Sequence, residues 1–467
     1  MLTQLRSSGT DGSPSVPEHH TFAKRARNGL ARAGIIAGIA VGLVGGGAVF
    51  LSANDRTEAP TPPPVGVAAP AAGIANQSGV TGTIAALQSR LRDVPKDWNA
   101  LAALGSAYVE QARISGDPSY YPKAQQSLES SLALNTTKNF AALFGLSALA
   151  AARHDFSAAL DYADRGLAIN GANALLHGAR TDALVELGRY DDAQVAVQTM
   201  ADLRPDLPAY VRASYLRELN GDTANALLFM QEAERNAGNP AEFSFVVYHQ
   251  GQLKEDSGRI DEAEADYKRA QQHDAASVPA REGLARIAAA RGRTADAIAG
   301  FEQLSVERPL PVYAAALAEL YTLTGRPAEA SKQLDLLGVL GKLAAANGVN
   351  SDLEVSLYSV DNGVGIPQAV AALRAEWTRR KSIHVADALA WALYADGKHA
   401  EAKTYADQAL RLGTKSASFH YHRGMISAAL GKKAEAKRDL ETALRINPHF
   451  SARHVAQARK TLAELGS

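Results

Sequence analysis

The sequence predicts an all-α protein: an α-solenoid of about ten helix pairs, preceded by one transmembrane helix. Three observations predict it. Alanine recurs at residues 159, 193, 226, 263, 297, 330, 369, 402 and 436, at intervals of 33 to 39 residues. Glycine stands five residues ahead of seven of these, at 188, 221, 258, 292, 325, 397 and 431. Near the start, a run of 21 residues from Ala33 to Ala53 carries no charge.

Composition narrows what such a chain can do. The 49 basic and 49 acidic residues balance, so no global field draws the protein toward nucleic acid. Removing residues 1–83, with six basic and four acidic side chains, leaves 43 and 45 and a body of net charge −2. With no cysteine in 467 residues, disulfides, thiolate metal sites, a cysteine nucleophile and a lipid-modified cysteine are all excluded.

Residues 1–32 read as a disordered cytoplasmic N-terminus. The apolar run, 33–53, matches the length that a helix needs to cross a hydrocarbon core of roughly 30 Å. Lys24, Arg25, Arg27 and Arg32 precede it, whereas Asp55, Arg56 and Glu58 follow, a bias that keeps the N-terminus in the cytoplasm and places the body outside. The competing reading is a cleaved secretory signal. Against it stand the long preceding segment and the poor small-x-small site at Leu51-Ser52-Ala53; either reading exports the body. Gly34, Gly38, Gly42 and Gly46 repeat every four residues along one face, a ladder that would let two membrane helices pack into a homo-oligomer, although glycine is frequent in membrane helices generally. Residues 54–83, with Pro60, Pro62, Pro63, Pro64 and Pro70, read as an extended spacer.

From 84 to 467 the repeat takes over. Its physical reading is a pair of antiparallel helices joined by a tight turn. Glycine ends the first helix in a left-handed conformation. The second helix carries the alanine and, seven residues later in five units, another small residue at 166, 233, 270, 409 or 443, on the same face, where a large side chain would push the helices apart. Proline closes units at 205, 309 and 448. The unit near Trp98 carries an insertion between its helices, "RISGDPSYYPKA"; the unit from Leu353 to Ile383 replaces the turn glycine by "DNGVGIPQA" after an irregular "LAAANGVNSD"; the polar "SARHVAQARKTLAEL" reads as a terminal capping helix.

These units resemble tetratricopeptide repeats, whose 34-residue period carries small residues, a turn glycine, aromatics and a closing proline at fixed steps. The unit 174–207 fits with Gly188, Tyr190, Ala193 and Pro205; 244–277 with Gly251, Gly258, Ala263, Tyr267 and Ala270; 417–450 with Gly424, Gly431, Ala436, Ala443, Leu444 and Pro448. The resemblance, of the membrane-anchored bacterial envelope type, runs from about residue 97 to the end. It implies a right-handed superhelix whose first helices line a concave face.

On the family's inward positions stand Tyr215, Glu218, Phe245, Tyr248, Glu255, Glu282, Glu319, Tyr358, Asp361, Asp387, Trp391, Tyr394 and Tyr421, with Asp182, Arg286, Glu354 and His384 on the same stripe. Acids outnumber bases and aromatics recur, so the resemblance implies a groove for a protein or peptide segment bearing basic residues. The plainer alternative is solvated helix surface with aromatics filling repeat interfaces. Some family members clamp a terminal carboxylate with lysine and asparagine; the acidic stripe here does not fit that partner.

No Gly-x-Ser-x-Gly, phosphate loop or His-Glu-x-x-His occurs, and the glycines at 363 and 365 lack the rest of a dinucleotide fingerprint. His420 and His422, two apart, point about 200° from each other on a helix and cannot chelate one ion together. The expectation is a non-catalytic interaction scaffold in the cell envelope with no cofactor, no metal and no nucleic acid partner. The alternative is an accessory or regulatory subunit of an envelope enzyme or assembly complex.

Overall fold

A computed structural model describes residues 77–466, and among them there are 22 helices and no strand. Helix α1 (Gln77–Asp93) leads into ten pairs. These are α2 and α3 (Trp98–Ser115, Tyr120–Leu134), α4 and α5 (Phe140–Ala152, Phe156–Ile169), α6 and α7 (Ala174–Glu186, Tyr190–Leu203), and α8 and α9 (Leu207–Leu219, Thr223–Arg235). Next come α10 and α11 (Pro240–Asp256, Ile260–His273), α12 and α13 (Val278–Ala290, Thr294–Glu307), and α14 and α15 (Pro311–Leu323, Pro327–Ala346). The last are α16 and α17 (Asp352–Asp361, Ile366–Arg379), α18 and α19 (Ile383–Ala395, His399–Ala409), and α20 and α21 (Ala417–Ala429, Lys433–Ile446), closed by α22 (Ala452–Gly466). The predicted span 33–53 and its glycine ladder lie outside the described residues, and no described helix is long and apolar enough to cross a membrane. Residues 77–83, read from sequence as spacer, belong to α1.

Local chemistry explains the hairpins. Eight first helices start at a side-chain cap, from Asp97, Asn139, Asn173, Asp206, Asn239, Ser277, Ser382 or Ser416, which accepts a hydrogen bond from the amide three residues on. All seven predicted turn glycines have φ between +71° and +77°. The unit of Ala159 has His154 instead, left-handed at φ 60°, a rare state for a residue with a β-carbon, and its Nδ1 lies 2.6 Å from the Asn350 carbonyl.

Packing follows the small residues. The nine recurring alanines and the five small residues seven steps on are all buried. Tyr267 on α11 is wedged between Gly251 and Gly283 of the flanking first helices: a β-carbon at Gly251 would stand 2.5 Å from its ring, and one at Gly283 2.7 Å. Helix α15 runs on through part of the stretch expected to be irregular and buries only Ala330 and Leu337. After it the chain turns inward at Gly348 and Asn350 to meet Arg153, which gives that interruption a structural role.

Curvature brings the superhelix back onto itself. The turns of five successive units meet the loops that enter units 192 to 197 residues later. Gly116 faces Leu310; the Asn350 amide donates to the Arg153 carbonyl (3.1 Å); Lys381 donates to Leu187 (3.2 Å); Gly221 abuts the Gly413 carbonyl; and Asn447 donates to the Glu255 carbonyl (2.9 Å). That offset is roughly 5.7 units of 34 residues per superhelical turn. Ile383 also donates its amide to the Tyr190 hydroxyl across the seam (2.9 Å), and one apolar cluster joins Tyr190, Leu216 and Tyr215 to Ile383, Ala386 and Phe419.

Gly251→Ala should lower the unfolding free energy by about 1–3 kcal/mol, because its methyl group has no room against Tyr267. Gly338→Ala, in α15 with nothing within 4 Å of the added carbon, should raise it by up to about 1 kcal/mol. Urea denaturation of the two variants checks the contrast.

Candidate partner-binding face

First helices face one another around the interior, whereas most large exposed apolar side chains, among them Val195, Leu228, Val306 and Val339, lie on second helices. None of the thirteen inward residues is fully exposed: Tyr215, Tyr248, Asp387, Trp391 and Tyr421 are buried, and the other eight are partly covered. The second superhelical turn packs on this stripe at Tyr215, which shares a cluster with Ile383 and Phe419 and lies 3.3 Å from His384. The structure divides it into three groups.

The first group is internally saturated. Arg286 on α12 reaches Glu282 (2.6 Å), Glu255 on α10 (3.1 Å) and the Tyr267 hydroxyl (3.1 Å), while that hydroxyl donates to Glu255 (2.6 Å). Tyr248 packs on Tyr267 with ring centroids 5.6 Å apart, and burial pushes its hydroxyl pKa upward. Phe245 meets the His249 ring edge-on at 4.4 Å, and burial pulls His249 down to about 4, so it is neutral.

The second group closes the C-terminal end. Trp391 stacks between Tyr394 (4.9 Å, 9°) and His422 (4.3 Å, 17°), and its indole donates to Asp361 (2.8 Å). Asp387 holds His422 Nδ1 at 2.9 Å. Helix α22 inserts two side chains here: His454 stacks on Tyr421 at 4.7 Å, and Arg453 donates to the Asp361 carbonyl. The Tyr358 hydroxyl has no partner, and burial raises its pKa to about 12.

In the third group no donor satisfies the carboxylates. The carboxylates of Glu218 on α8 and Glu319 on α14 accept no hydrogen bond from the described residues, and burial raises both to about 7; for Glu319 the Arg453 charge works against that rise. Tyr215 beside Glu218 is 3.3 Å from His384 Nε2, and burial, helped by Arg380, holds His384 near 4.

Sequence reasoning missed the most buried charges. Glu186, the last residue of α6, meets Arg380 at 2.5 Å across the seam, and Arg380 also binds Glu376; the three side chains are 2 to 5% exposed. Burial raises Glu186 to about 7 against the pull of Arg380. Glu186 and Asp256 stand one position past the inward stripe; a carboxylate at the end of a first helix, just before the turn glycine, was the available signal. Arg380 and Arg453 lie outside the repeat positions and give none.

Two stretches of the chain, residues 255–320 and 417–450, match sequence models of the tetratricopeptide repeat. No curated relative matches the sequence. Among solved structures, a tetratricopeptide repeat protein from Parabacteroides merdae is 16% identical over 56% of this chain and 99% of its own, with a TM-score of 0.34. Yeast Tom70 is 15% identical over 83% and 86%, TM-score 0.35; human IFIT1, bound to m7Gppp-AAAA, is 14% identical over 79% and 87%, TM-score 0.43. Likenesses at these TM-scores carry no weight for function.

Because the folded pKa of Glu218 lies above its unfolded value of 4.5, its favourable contribution is complete below pH 4.5 and lost as pH rises through about 7. Glu218→Gln should therefore match the parent at pH 4 and exceed it at pH 8 by about 1–2 kcal/mol, less than the full shift because solvent reaches the side chain. Urea titrations at both pH values read this directly.

Proposed function

We propose that this chain is a non-catalytic scaffold of the cell envelope that holds a segment of a partner protein on its inner face. The matches at 255–320 and 417–450 support a protein-binding role, because stacked helical repeats serve generally as protein-interaction surfaces. The observation that carries the reading is the pair Glu218 and Glu319: inward, partly accessible carboxylates with no internal hydrogen-bond donor, in a solenoid that pairs most of its other inner charges. Such groups are costly to leave unsatisfied, and a partner's basic side chains would satisfy them. Aromatic neighbours such as Tyr358 and Tyr394 would add contact area.

Location rests on the sequence. One membrane helix at 33–53 would hold the N-terminus in the cytoplasm and the solenoid outside, with 54–76 as spacer; the glycine ladder at 34, 38, 42 and 46 would pair two anchors. A cleaved, secreted body is the variant of this reading.

Affinity purification of the full chain after mild solubilisation should recover a partner that Glu218→Lys with Glu319→Lys depletes at least tenfold, while Asp202→Lys, on an exposed face of α7, does not. Equal recovery by all three would contradict the inner-face reading.

A further inference from the structure

In a regular solenoid each helix packs on the one before it, and along the described chain this holds with one exception: α15 and α16 barely touch. At Gly341 on α15 an added β-carbon would come no nearer than 3.9 Å to Val355 on α16. The cores divide at the same place. The apolar cluster of α12 to α15 ends at Ala330, and the cluster that fills the last units runs from Leu353 to Ala458 with no member from before the joint. Val339 and Leu343 on α15 and Val355 on α16 stay exposed. Residues 352–466 thus form a block with a core of its own, tied to the first fifteen helices by the linker 347–351 and by the seam.

The seam is what holds that block down. Nearest the joint, the Asn350 amide donates to the Arg153 carbonyl (3.1 Å) and the His154 ring approaches the Asn350 carbonyl (2.6 Å), so this contact anchors the linker itself. Farther along, Lys381 donates to Leu187, Gly413 abuts Gly221, and Asn447 donates to Glu255. Ile383 and Phe419, with two alanines, enter the cluster of Tyr190 and Tyr215. The charged tie is incomplete. Arg380 covers Oε2 of Glu186, but Oε1 has no donor although the side chain is only 3% exposed, an arrangement that costs free energy while the seam is shut. Two blocks with separate cores and a polar, partly unsatisfied contact between them are built to move relative to one another.

We propose that helices α16 to α22 form a lid that turns on residues 347–351 and, by parting the seam, uncovers the inner stripe of α8 to the partner segment. With the lid shut, Tyr215 is 6% exposed and lies 3.3 Å from His384 of the lid, so no segment can lie along that stretch. The movement stands on the joint and the seam alone; its use as a gate rests on the inner-face reading above. A hinge confines the change of φ and ψ to a few residues, which leaves the helices and core of each block intact. Gly348, left-handed at φ 78°, is the residue best able to absorb it. The free chain is shut, and contacts with the partner offset those lost at the seam.

Because the chain has no cysteine, introduced cysteines can carry spin labels without background, and the distances between them in the full-length chain test the lid. Ala265→Cys with Lys437→Cys spans the seam at the end far from the joint. Ser119→Cys with Val306→Cys spans it inside the first block, and Thr404→Cys with Lys437→Cys lies inside the lid; all five positions are exposed. Arg380→Gln with Ile383→Ala removes the cation and one buried apolar side chain from the seam. In that background the first distance should shift to longer values, while the other two and the helical circular dichroism keep their parental values. Ile383→Ala alone, with every ion pair kept, should shift the first distance in the same direction by less. An unchanged first distance in the double variant overturns the lid. So does a Ser119 to Val306 distance that lengthens with it, the mark of even uncoiling, or a longer Thr404 to Lys437 distance, the mark of a block that melts instead of turning. The purification with Glu218→Lys and Glu319→Lys decides the scaffold reading separately, and that reading survives the failure of the lid.

Discussion

The structure depends on one steric constraint: where two helices cross, one of them carries a hydrogen or a methyl group. Tyr267 shows how tight the rule is, since its ring occupies the space that β-carbons at Gly251 and Gly283 would need. Leu440 does the same against Gly424, where an added carbon would stand 2.8 Å from it. Close backbone approach lets each hairpin bury nearly continuous apolar surface against the next, and the favourable free energy of that burial is local to neighbouring units. With no cysteine in the chain, no disulfide supplements it.

Repetition turns the local rule into a global shape. Each unit adds a small rotation, and after roughly 5.7 units the chain meets itself. The contacts there include two backbone hydrogen bonds, from Asn350 to Arg153 and from Lys381 to Leu187, which specify position more than they add free energy, beside the side-chain contacts of Tyr190, Ile383 and Asn447. The buried Glu186–Arg380–Glu376 group fits the same description. Taking three charged groups out of water costs about as much as their attraction returns, and the usual gain of such a group is register. Arg379 gives Glu376 a second guanidinium partner, and burial still raises Glu186 to about 7, which leaves the seam sensitive to pH.

The hairpins were legible in the sequence because each is set by residues close in the chain. The seven glycines and the alanines with their small partners could be read directly, and ten pairs stand where about ten were expected. Positions 77–83 were misassigned because glycine, serine and threonine there resemble spacer, while Val80, Ile84 and Leu87 bury against the first pair and hold the helix. The condition of the inner face was not legible. Whether Tyr215 or Trp391 meets solvent depends on the pitch of the superhelix, a sum of small rotations over many units that no local pattern encodes. The internal pairing of Glu255 by Arg286, and of Asp361 by a residue from α22, is non-local in the same way.

The interior that results is lined by carboxyls whose pKa burial raises to about 7, by neutral histidines and by tyrosines, with its strongest ion pairs already spent on one another. Turn-on-turn closure decides this chemistry, and amide hydrogen exchange tests that closure most directly. The amides of Asn350 and Lys381 donate to carbonyls of the opposite turn, and both precede the helices that follow them. The account predicts that they exchange as slowly as amides of the flanking helices. Rapid exchange at both, with the helices themselves protected, would mean an open solenoid and contradict it.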